Sequence, residues 1–331
     1  MRIAVMGLGS WGTAFSMVLA DAGNDVTIWG RDAGLVATVN DEHVNPRFHP
    51  GIAIPASVHA TTEASQALTE AELVVFAVPA QSLRGNLEAW RREIPQRAVM
   101  LSLMKGLEAR TLARMSEVIV DVTSTSPECV AVLSGPNLAG EIALRQPAAS
   151  VIASSSSETA ELIQSACQTA YFRPYTNADV VGVELGGVVK NVIALATGIA
   201  EGMRFGDNSK AAIITRGLAE MTRLGQAMGA SPMTFMGLAG IGDLVATCSS
   251  PLSRNRTFGE NLGKGLSVAE VEARSMQTAE GVRSSAAVLA LARGHDVDMP
   301  IAEHVAGVIE QGRSPRDMVS SLMSRVAKPE W

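Results

Sequence analysis

Short runs of apolar residues recur along the first half of the chain, separated by polar or amphipathic stretches. Runs that are apolar throughout are typical of strands buried on both faces of a parallel sheet, whose neighbouring strands are usually connected through a helix. The predicted strands lie at residues 2–6, 25–30, 73–79, 98–106, 129–137, 150–155 and 172–177, of which the last, FRPYTN, is the least apolar. The pattern predicts a doubly wound α/β domain over residues 1–178.

The strand pattern stops after residue 178, and the remaining chain is rich in Ala, Leu, Met and Glu. Such segments are typical of helices when their apolar positions recur every three or four residues. They lie around residues 179–201, 208–228, 231–237, 267–274, 281–293, 300–311 and 314–324. The pattern predicts an all-helical second domain over residues 179–331.

The predicted helix over residues 177–202 carries apolar residues around much of its circumference, which is typical of a helix buried on most sides. Its adjacent Gly186 and Gly187 together cost about 2 kcal/mol relative to alanine. Lys190 follows one turn later, and its side chain leans back over the glycines. Two interpretations remain open. A small reactant fits over the bare turn beside Lys190, or the glycines admit another helix while Lys190 extends to solvent.

Composition narrows the classes of function. The chain has 331 residues, 47% of them hydrophobic, and a net charge of −6, so a large core is expected but no general basic surface for nucleic acid or anionic membranes. Cys129, Cys167 and Cys248 have no ligand spacing and cannot all pair, which favours a reduced cytoplasmic setting without a metal site. No uninterrupted apolar stretch reaches about 20 residues, so no membrane-spanning helix is predicted.

Three glycines follow the first predicted strand with the spacing Gly-x-Gly-x-x-Gly. Gly7 permits a tight turn, Gly9 lets the backbone approach a pyrophosphate, and Gly12 lets the next helix pack closely on the strand. The motif alone is weak, but a strand before it and a helix after it favour dinucleotide binding. Ser10 and Trp11 are then expected against the cofactor. The same glycines interrupt an apolar stretch that otherwise resembles a signal peptide.

Arg31 and Asp32 follow the second predicted strand, where NAD-specific sites usually place an acid for the adenosine ribose. The Arg31 guanidinium suits the 2′-phosphate of NADP, so we expect NADPH to be preferred. Asp32 would serve the ribose instead, or pair with Arg31 on the surface.

Residues 40–60 contain three prolines together with His43, His49 and His59. This composition predicts an irregular connection. The histidines have no metal-binding arrangement and are expected on the loop surface.

Two further predicted strands deliver polar residues to the carboxyl edge of the sheet, where doubly wound folds bind ligands. Lys105 follows the run over 98–106, and Gly135 and Asn137 lie in the turn that ends the run over 129–137. These three residues are candidates for a ligand site. The alternative for Lys105 is that it is an ordinary surface lysine.

Two segments of the second half depart from simple core patterning. GLAGIGDLVATC at 237–248 places Asp243 at a helix start after two glycines, either to meet a ligand or to cap the helix. SSPLSRNRTFG at 249–259 clusters Ser253, Arg254 and Asn255 near a helix N-terminus, as a phosphate site or as a solvated basic turn. Glu280 further on lies beside nicotinamide or caps a helix.

As a set, these motifs resemble the bacterial-type NAD(P)-dependent glycerol-3-phosphate dehydrogenase family, in its order and spacing over nearly the whole chain. The motifs are GLGSWGTA at 7–14, LMKGLE at 103–108, LSGPN at 133–137, ELGGVVKNVIAL at 184–195, ITRGLAEM at 214–221, GLAGIGDL at 237–244 and SRNRTFG at 253–259. The resemblance implies a Rossmann domain followed by a helical substrate and dimerisation domain, commonly in a homodimer. It also implies NAD(P)H-dependent, reversible reduction of dihydroxyacetone phosphate to sn-glycerol 3-phosphate for phospholipid synthesis.

The resemblance also assigns roles to individual residues, with Lys190 as the acid/base. The cofactor would contact Ser10, Trp11, Arg31, Lys105, Ala139, Arg254, Thr278 and Glu280. The substrate would contact Lys105, Gly135, Asn137, Lys190, Asp243, Ser253, Arg254 and Asn255. Two positions depart from the family pattern, because a hydroxyl residue is frequent at Asn137 and valine is common at Thr278. Two other functions remain open: a related reductase of 2-oxo or 3-hydroxy acids, and a nonenzymatic NADPH-sensing regulator.

Overall fold

The computed structural model describes residues 1–274 and 279–317. The chain forms two compact units, Met1–Glu184 and Leu185–Trp331.

The first unit is built on an eight-stranded sheet with the strand order β10-β9-β8-β7-β6-β1-β2-β5, beside a separate two-stranded ribbon, β3–β4. Neighbouring strands of the large sheet are parallel except β8 and β9. The strands are β1 Arg2–Met6, β2 Asp25–Trp29, β3 Val44–Asn45, β4 His49–Ala53, β5 Val58–Thr61, β6 Leu73–Phe76, β7 Val99–Ser102, β8 Val130–Ser134, β9 Ala148–Ala153 and β10 Phe172–Asn177.

Helices cover both faces of this sheet. They are α1 Ser10–Asp21, α2 Ala33–Glu42, α3 Ala64–Leu68, α4 Leu83–Trp90, α5 Met115–Thr123, α6 Ala139–Ala143 and α7 Ser157–Cys167, with 3₁₀ turns at Ala80–Ser82 and Pro127–Cys129. Ile3 and Val5 of β1 belong to one hydrophobic core, while Ala4 and Met6 belong to the core on the opposite face. Burial on both faces explains why the strand is apolar throughout, and the predicted doubly wound fold is confirmed.

The prediction for residues 40–60 is wrong. The segment contains the end of α2, the antiparallel β3–β4 ribbon and β5, which pairs in parallel with β2. His49 is buried rather than on the loop surface, with 3% of its surface exposed. Strands this short and rich in turn residues show no alternation, so the sequence pattern did not reveal them.

The described part of the second unit, residues 185–274 and 279–317, contains helices and no strand. The helices are α8 Val180–Gly202, which begins in the first unit, α9 Asp207–Ala227, α10 Pro232–Phe235, α11 Asp243–Ser249, α12 Arg254–Gly263, α13 Val268–Arg274, α14 Glu280–Gly294 and α15 Pro300–Gln311. Leu238–Gly242 forms a π-helical turn before α11. The helix predicted over 314–324 lies mostly outside the described residues.

Helix α8 is buried on most sides, as its sequence predicted. It is long and apolar enough to cross a membrane, but 89% of its most apolar window is buried inside the protein. A Cβ at Gly198 would overlap the carbonyl oxygen of Arg256, so the glycine lets the α12 backbone contact α8 directly. The apolar circumference of α8 is therefore explained by packing.

Candidate functional site

The turn between β1 and α1 has the geometry that its glycines predicted. Gly7 has a φ of +142°, and a Cβ there would lie 2.6 Å from the Ala77 carbonyl oxygen. A Cβ at Gly12 would overlap the carbonyl oxygen of Gly7, whereas one at Gly9 would meet nothing within 4 Å. Two glycines thus serve chain packing, and Gly9 leaves open space at the N-terminus of α1. Because this N-terminus has no side-chain cap, it fits the pyrophosphate of a dinucleotide.

Ser10 and Trp11 form the first residues of α1, directly after this turn. The Ser10 carbonyl oxygen lies 2.7 Å from Nε2 of His49. The Trp11 ring packs against Phe15 with their centroids 5.5 Å apart. Within the described part of the chain, Trp11 Nε1 is a buried donor without a hydrogen-bond partner. A polar donor of this kind beside the turn suits a phosphorylated ligand.

At the end of β2, the structure places Asp32 against a residue other than Arg31, and a contact of Asp32 with the ribose stays a prediction. Asp32 Oδ1 accepts from the Leu35 backbone N–H at 3.1 Å, which caps α2, and Oδ2 lies 3.8 Å from Arg47 NH1. Its ion-pair partner is therefore Arg47, while Arg31 is exposed. Sequence reasoning missed Arg47 because the ribbon that carries it was interpreted as an irregular loop.

Lys105, Gly135 and Asn137 come together at the carboxyl edge of the sheet. Lys105 Nζ donates to the Gly135 carbonyl oxygen at 2.9 Å, and Asn137 Nδ2 donates to Ser150 Oγ at 3.1 Å. Among the described residues, Asn137 Oδ1 and Ser134 Oγ are buried without a hydrogen-bond partner. The predicted cluster is therefore an assembled group of polar atoms, and Lys105 is not an isolated surface lysine. Ala139, the first residue of α6, packs against the core beside this cluster.

The segment after β7 is held by two side chains that sequence reasoning missed. Gln81 Nε2 donates to the Leu107 carbonyl oxygen at 2.7 Å, and Gln81 Oε1 accepts from the Ala109 N–H at 3.0 Å. Arg84 binds both carboxylate oxygens of Glu108, at 2.7 and 3.1 Å. The Arg84 guanidinium holds the pKa of Glu108 below its usual value. These contacts restrain the loop that begins at Lys105.

A buried carboxylate fastens the start of α8. Glu184 accepts from the Ser116 N–H at 2.9 Å, from Ser116 Oγ at 2.6 Å and from Arg114 NH1 at 2.8 Å. This network joins α8 to the start of α5. The sequence offered one signal, an acid within an otherwise apolar helix, since such an acid needs buried partners.

In the second unit, Lys190 is paired with Asp243 and Thr247. Lys190 Nζ donates to Asp243 Oδ1 at 2.6 Å and to Thr247 Oγ1 at 2.7 Å. Lys190 is 6% exposed and Asp243 is 1% exposed. The interpretation that Lys190 extends to solvent is therefore wrong, and Asp243 does more than occupy the start of a helix, because it holds the Lys190 ammonium. Sequence reasoning missed Thr247, which lies one helical turn after Asp243 and on the same face.

The space over Gly186 is filled by the protein itself. A Cβ at Gly186 would overlap the carbonyl oxygen of Ala239, within the π-helical turn. Gly186 thus admits close packing of another backbone segment, as one of the two interpretations expected. The π-helical turn ends at Gly242, and Asp243 follows as the first residue of α11, so this packing helps to aim Asp243 at Lys190.

The turn at 253–255 divides into buried and exposed residues. Ser253 is buried, and its Oγ caps α12 by accepting from the Arg256 N–H at 3.2 Å. Asn255 is also buried, where Nδ2 donates to Asn191 Oδ1 at 2.9 Å and Oδ1 accepts from the Gly281 N–H at 2.9 Å. Arg254 is exposed at the start of α12. Ser253 and Asn255 therefore also hold the helices in place, and because a hydroxyl O–H and a second amide N–H remain as donors, the assignment of all three residues to the substrate stays a prediction.

Two candidates remain, Glu280 at the start of α14 and Thr278. Glu280 is the first residue of α14 and is partly exposed. Thr278 lies outside the described residues. Over residues 1–274 and 279–317, no group of three or more His, Cys, Asp or Glu side chains is arranged to hold a metal ion.

The fold and site together define an NAD(P)-dependent dehydrogenase with a Rossmann-type domain and a helical domain. The chain belongs to the glycerol-3-phosphate dehydrogenase family. The family model for the NAD-dependent glycerol-3-phosphate dehydrogenase N-terminus matches residues 2–160, and the model for the C-terminus matches residues 179–320. The resemblance inferred from the motifs is thereby confirmed.

Individual relatives agree with this assignment. Proteins from Streptomyces griseus and Streptomyces coelicolor, both named glycerol-3-phosphate dehydrogenase with NAD(P)+ as cofactor, are 58% identical to this chain, and each match covers 100% of this chain and 98% of the relative. The crystal structure of glycerol-3-phosphate dehydrogenase from Coxiella burnetii is 36% identical with a TM-score of 0.93, and the match covers 98% of both chains.

Proposed function

We propose that this protein catalyses the reversible, NAD(P)H-dependent reduction of dihydroxyacetone phosphate to sn-glycerol 3-phosphate and so supplies glycerophospholipid synthesis. The observation that carries the proposal is the buried Lys190–Asp243 pair in a chain that also has an open glycine turn for a dinucleotide. Family membership and the names of the relatives point to the same substrate.

Lys190 is the proposed acid/base. Bound NAD(P)H supplies a hydride to the ketone carbon, and the ketone oxygen then needs a proton. An ammonium has three N–H donors, and two of those of Lys190 are directed at Asp243 and Thr247. The third is proposed to reach the substrate oxygen and to deliver the proton there. In the reverse direction the neutral amine takes the hydroxyl proton.

Asp243 and Thr247 are proposed to orient Lys190. Both accept hydrogen bonds from its ammonium, at 2.6 and 2.7 Å, so the side chain is held in one direction. The carboxylate also balances a charge that would be costly to bury alone. Preorganisation of this kind lowers the reorganisation needed during the proton transfer.

The substrate phosphate is proposed to bind Arg254 and the first backbone N–H groups of α12. Arg254 is exposed at a helix N-terminus, where the partial positive charge favours an anion. Ser253 and Asn255 support this turn through their buried hydrogen bonds and are proposed to contact the substrate as well. Lys105, Gly135 and Asn137 are proposed as further polar contacts for the reacting groups.

The cofactor is proposed to bind the first unit, with NADPH preferred over NADH. Gly7, Gly9 and Gly12 shape the pyrophosphate turn, and the Trp11 and Asn137 atoms that are buried without partners among the described residues suit polar ligand groups. Ser10, Arg31, Lys105, Ala139, Arg254, Thr278 and Glu280 complete the proposed set of cofactor contacts. Residues 1–178 form the proposed nucleotide domain, and residues 179–331 form the substrate and dimerisation domain of a cytoplasmic homodimer.

Turnover of NADPH with dihydroxyacetone phosphate tests the proposal against both alternatives. We expect oxidation of NADPH with this ketone and much slower oxidation with 2-oxo acids, and we expect NADP+ to be reduced with sn-glycerol 3-phosphate but not with 3-hydroxy acids. Faster turnover of either acid class would identify a related reductase. Binding of NADPH without turnover of any of these compounds would indicate a regulator.

A further inference from the structure

The β3–β4 ribbon is fastened to the nucleotide turn by two buried side chains. Asn45 Nδ2 donates to Thr13 Oγ1 at 2.9 Å, and His49 Nε2 lies 2.7 Å from the Ser10 carbonyl oxygen, to which it donates. Asn45 is 0% exposed and His49 is 3% exposed. Both contacts fall on the first turn of α1, so the position of the ribbon is set relative to the proposed pyrophosphate site.

Arg47 lies at the tip of this ribbon. The turn is closed by a hydrogen bond from the Phe48 N–H to the Asn45 carbonyl oxygen at 3.2 Å. The Arg47 guanidinium lies over the Phe48 ring, 5.4 Å from its centroid, and NH1 is 3.8 Å from Asp32 Oδ2. The β3–β4 ribbon therefore places the Arg47 guanidinium near Asp32, which follows Arg31 after the end of β2.

The end of β2 is where doubly wound nucleotide-binding domains place the adenosine ribose. Asp32 is the acid at this position, but one of its oxygens caps α2 and the other faces Arg47. An uncompensated carboxylate here would favour the ribose hydroxyls of NADH and repel a 2′-phosphate. Arg47 offsets that charge and places its guanidinium beside Asp32, the residue that follows Arg31 in the chain.

We propose that Arg47 is a specificity-determining residue that binds the 2′-phosphate of NADP(H) together with Arg31. This inference rests on the proposed use of NADPH. Guanidinium groups bind phosphate oxygens in a planar, paired geometry, and two of them match a dianionic group better than one. Asn45 and His49 act through Arg47, because they fix the ribbon that presents it.

Equilibrium binding to the full-length protein tests this inference without relying on turnover. Dissociation constants for NADPH and NADH are measured by titration calorimetry with the wild type, Arg47→Ala, Arg47→Lys and Arg97→Ala. Arg97 is the matched control, because it is exposed and lies just before the amino-terminal end of β7, whereas Arg31 and Asp32 follow the carboxyl end of β2. Arg47→Ala is expected to weaken NADPH binding about tenfold, the lower range for a charge-assisted hydrogen bond, and NADH binding less than about twofold.

Further variants sharpen the result. Arg47→Lys is expected to restore part of the lost NADPH affinity, and Arg97→Ala is expected to leave both affinities unchanged. Asp32→Asn keeps an oxygen for the helix cap but removes the negative charge, so it is expected to strengthen NADPH binding relative to NADH. Competition by 2′,5′-ADP, compared with 5′-ADP, is expected to show the same loss in Arg47→Ala.

Two outcomes would overturn the inference, and they are distinguishable. Equal weakening of NADPH and NADH in Arg47→Ala, with NADPH still preferred by the wild type, would exclude Arg47 from the 2′-phosphate site and leave the proposed function intact. A wild-type protein that binds both cofactors equally would overturn the NADPH preference itself, and the role of Arg47 with it.

Discussion

Lys190 and Asp243 form an ion pair inside the helical unit, with Nζ 2.6 Å from Oδ1. Lys190 belongs to α8 and Asp243 to the start of α11, directly after a π-helical turn. Because both side chains are almost fully buried, neither charge is screened by water as a surface pair would be. The pair therefore has consequences for turnover and for stability that separate measurements can resolve.

Lys190→Ala is expected to lower kcat for dihydroxyacetone phosphate by about 100-fold to 10,000-fold, the range for a positioned acid or base. NADPH affinity should remain close to that of the wild type, because the proposed pyrophosphate turn lies in the first unit. Steady-state kinetics and calorimetric NADPH binding on the same preparation check both statements. Near-normal turnover in folded Lys190→Ala would transfer the acid/base role to another group, with Lys105 the first to examine.

Thr247→Val should lower kcat about tenfold or more, because it removes one acceptor that orients the Lys190 ammonium while leaving the ion pair in place. Thr247→Ser keeps the hydroxyl and should restore most of the activity. A comparable loss in both variants would show that the hydroxyl alone does not account for the effect, because Thr247→Ser retains it.

Asp243→Asn should also destabilise the protein, since it leaves the Lys190 charge buried without its counter-charge. Removing one partner of a buried ion pair typically costs about 3–5 kcal/mol. Denaturant unfolding of Asp243→Asn and of the double variant Asp243→Asn/Lys190→Met measures this cost. The double variant should recover stability but not turnover, and failure to recover stability would argue against a charge-based cost.

Arg254→Ala should remove most of the preference for the phosphorylated ketone. Binding energy from the non-reacting phosphate helps to hold the ketone in place, so unphosphorylated dihydroxyacetone loses turnover as well as affinity. The measurement is the ratio of kcat/KM for dihydroxyacetone phosphate and dihydroxyacetone at fixed ionic strength, in the wild type and the variant. An unchanged ratio would exclude Arg254 as the phosphate contact, whatever the absolute rates.

Arg31→Ala should raise KM for NADPH more than KM for NADH, because a charge-assisted hydrogen bond contributes roughly 1.5–3 kcal/mol. Kinetics with both cofactors at saturating dihydroxyacetone phosphate provide the comparison. Equal effects on the two cofactors would show that Arg31 does not recognise the 2′-phosphate.

We expect the free energy of unfolding to depend on pH through the buried carboxyl group of Glu220 in the helical unit. Burial raises the pKa of Glu220 to about 7, although its carboxylate accepts hydrogen bonds from the Ile301 and Ala302 N–H groups at the start of α15. The folded state therefore holds this proton more tightly than the unfolded state, so the stabilising contribution is complete at low pH. It is lost as the pH rises from the ordinary carboxyl range through about 7.

Between pH 5 and pH 8 this single group should remove about 2 kcal/mol from the free energy of unfolding. Glu220→Gln should lose less stability over the same interval, and the exposed Glu272→Gln should behave as the wild type. Urea unfolding of the three proteins at both pH values gives the comparison. Parallel losses in all three would mean that Glu220 does not titrate in this range.

The sequence alone predicted those elements whose structure depends on residues close together in the chain. The apolar run of β1, the three glycines and the following helix could be interpreted together, because a tight turn, close packing and an open helix N-terminus each need a glycine at a particular position. The all-helical second half and the length of α8 also followed from periodicity. The placement of Lys105, Gly135 and Asn137 at one edge followed from the rule that parallel strands end on the same side.

Contacts between distant segments were decided only by tertiary structure. The sequence did not show that Lys190 is directed at Asp243 and Thr247, which are 53 and 57 residues away, rather than at solvent. The sequence predicted Asn255 as a ligand donor, and only the packing of α8, α12 and α14 showed that its amide also joins these helices. The β3–β4 ribbon gave no periodic signal, because its strands are too short to alternate, and its position comes from Asn45 and His49 reaching back to α1. Hydrophobic periodicity predicts which face of a helix or strand is buried, but it does not predict which other segment of the chain packs against that face.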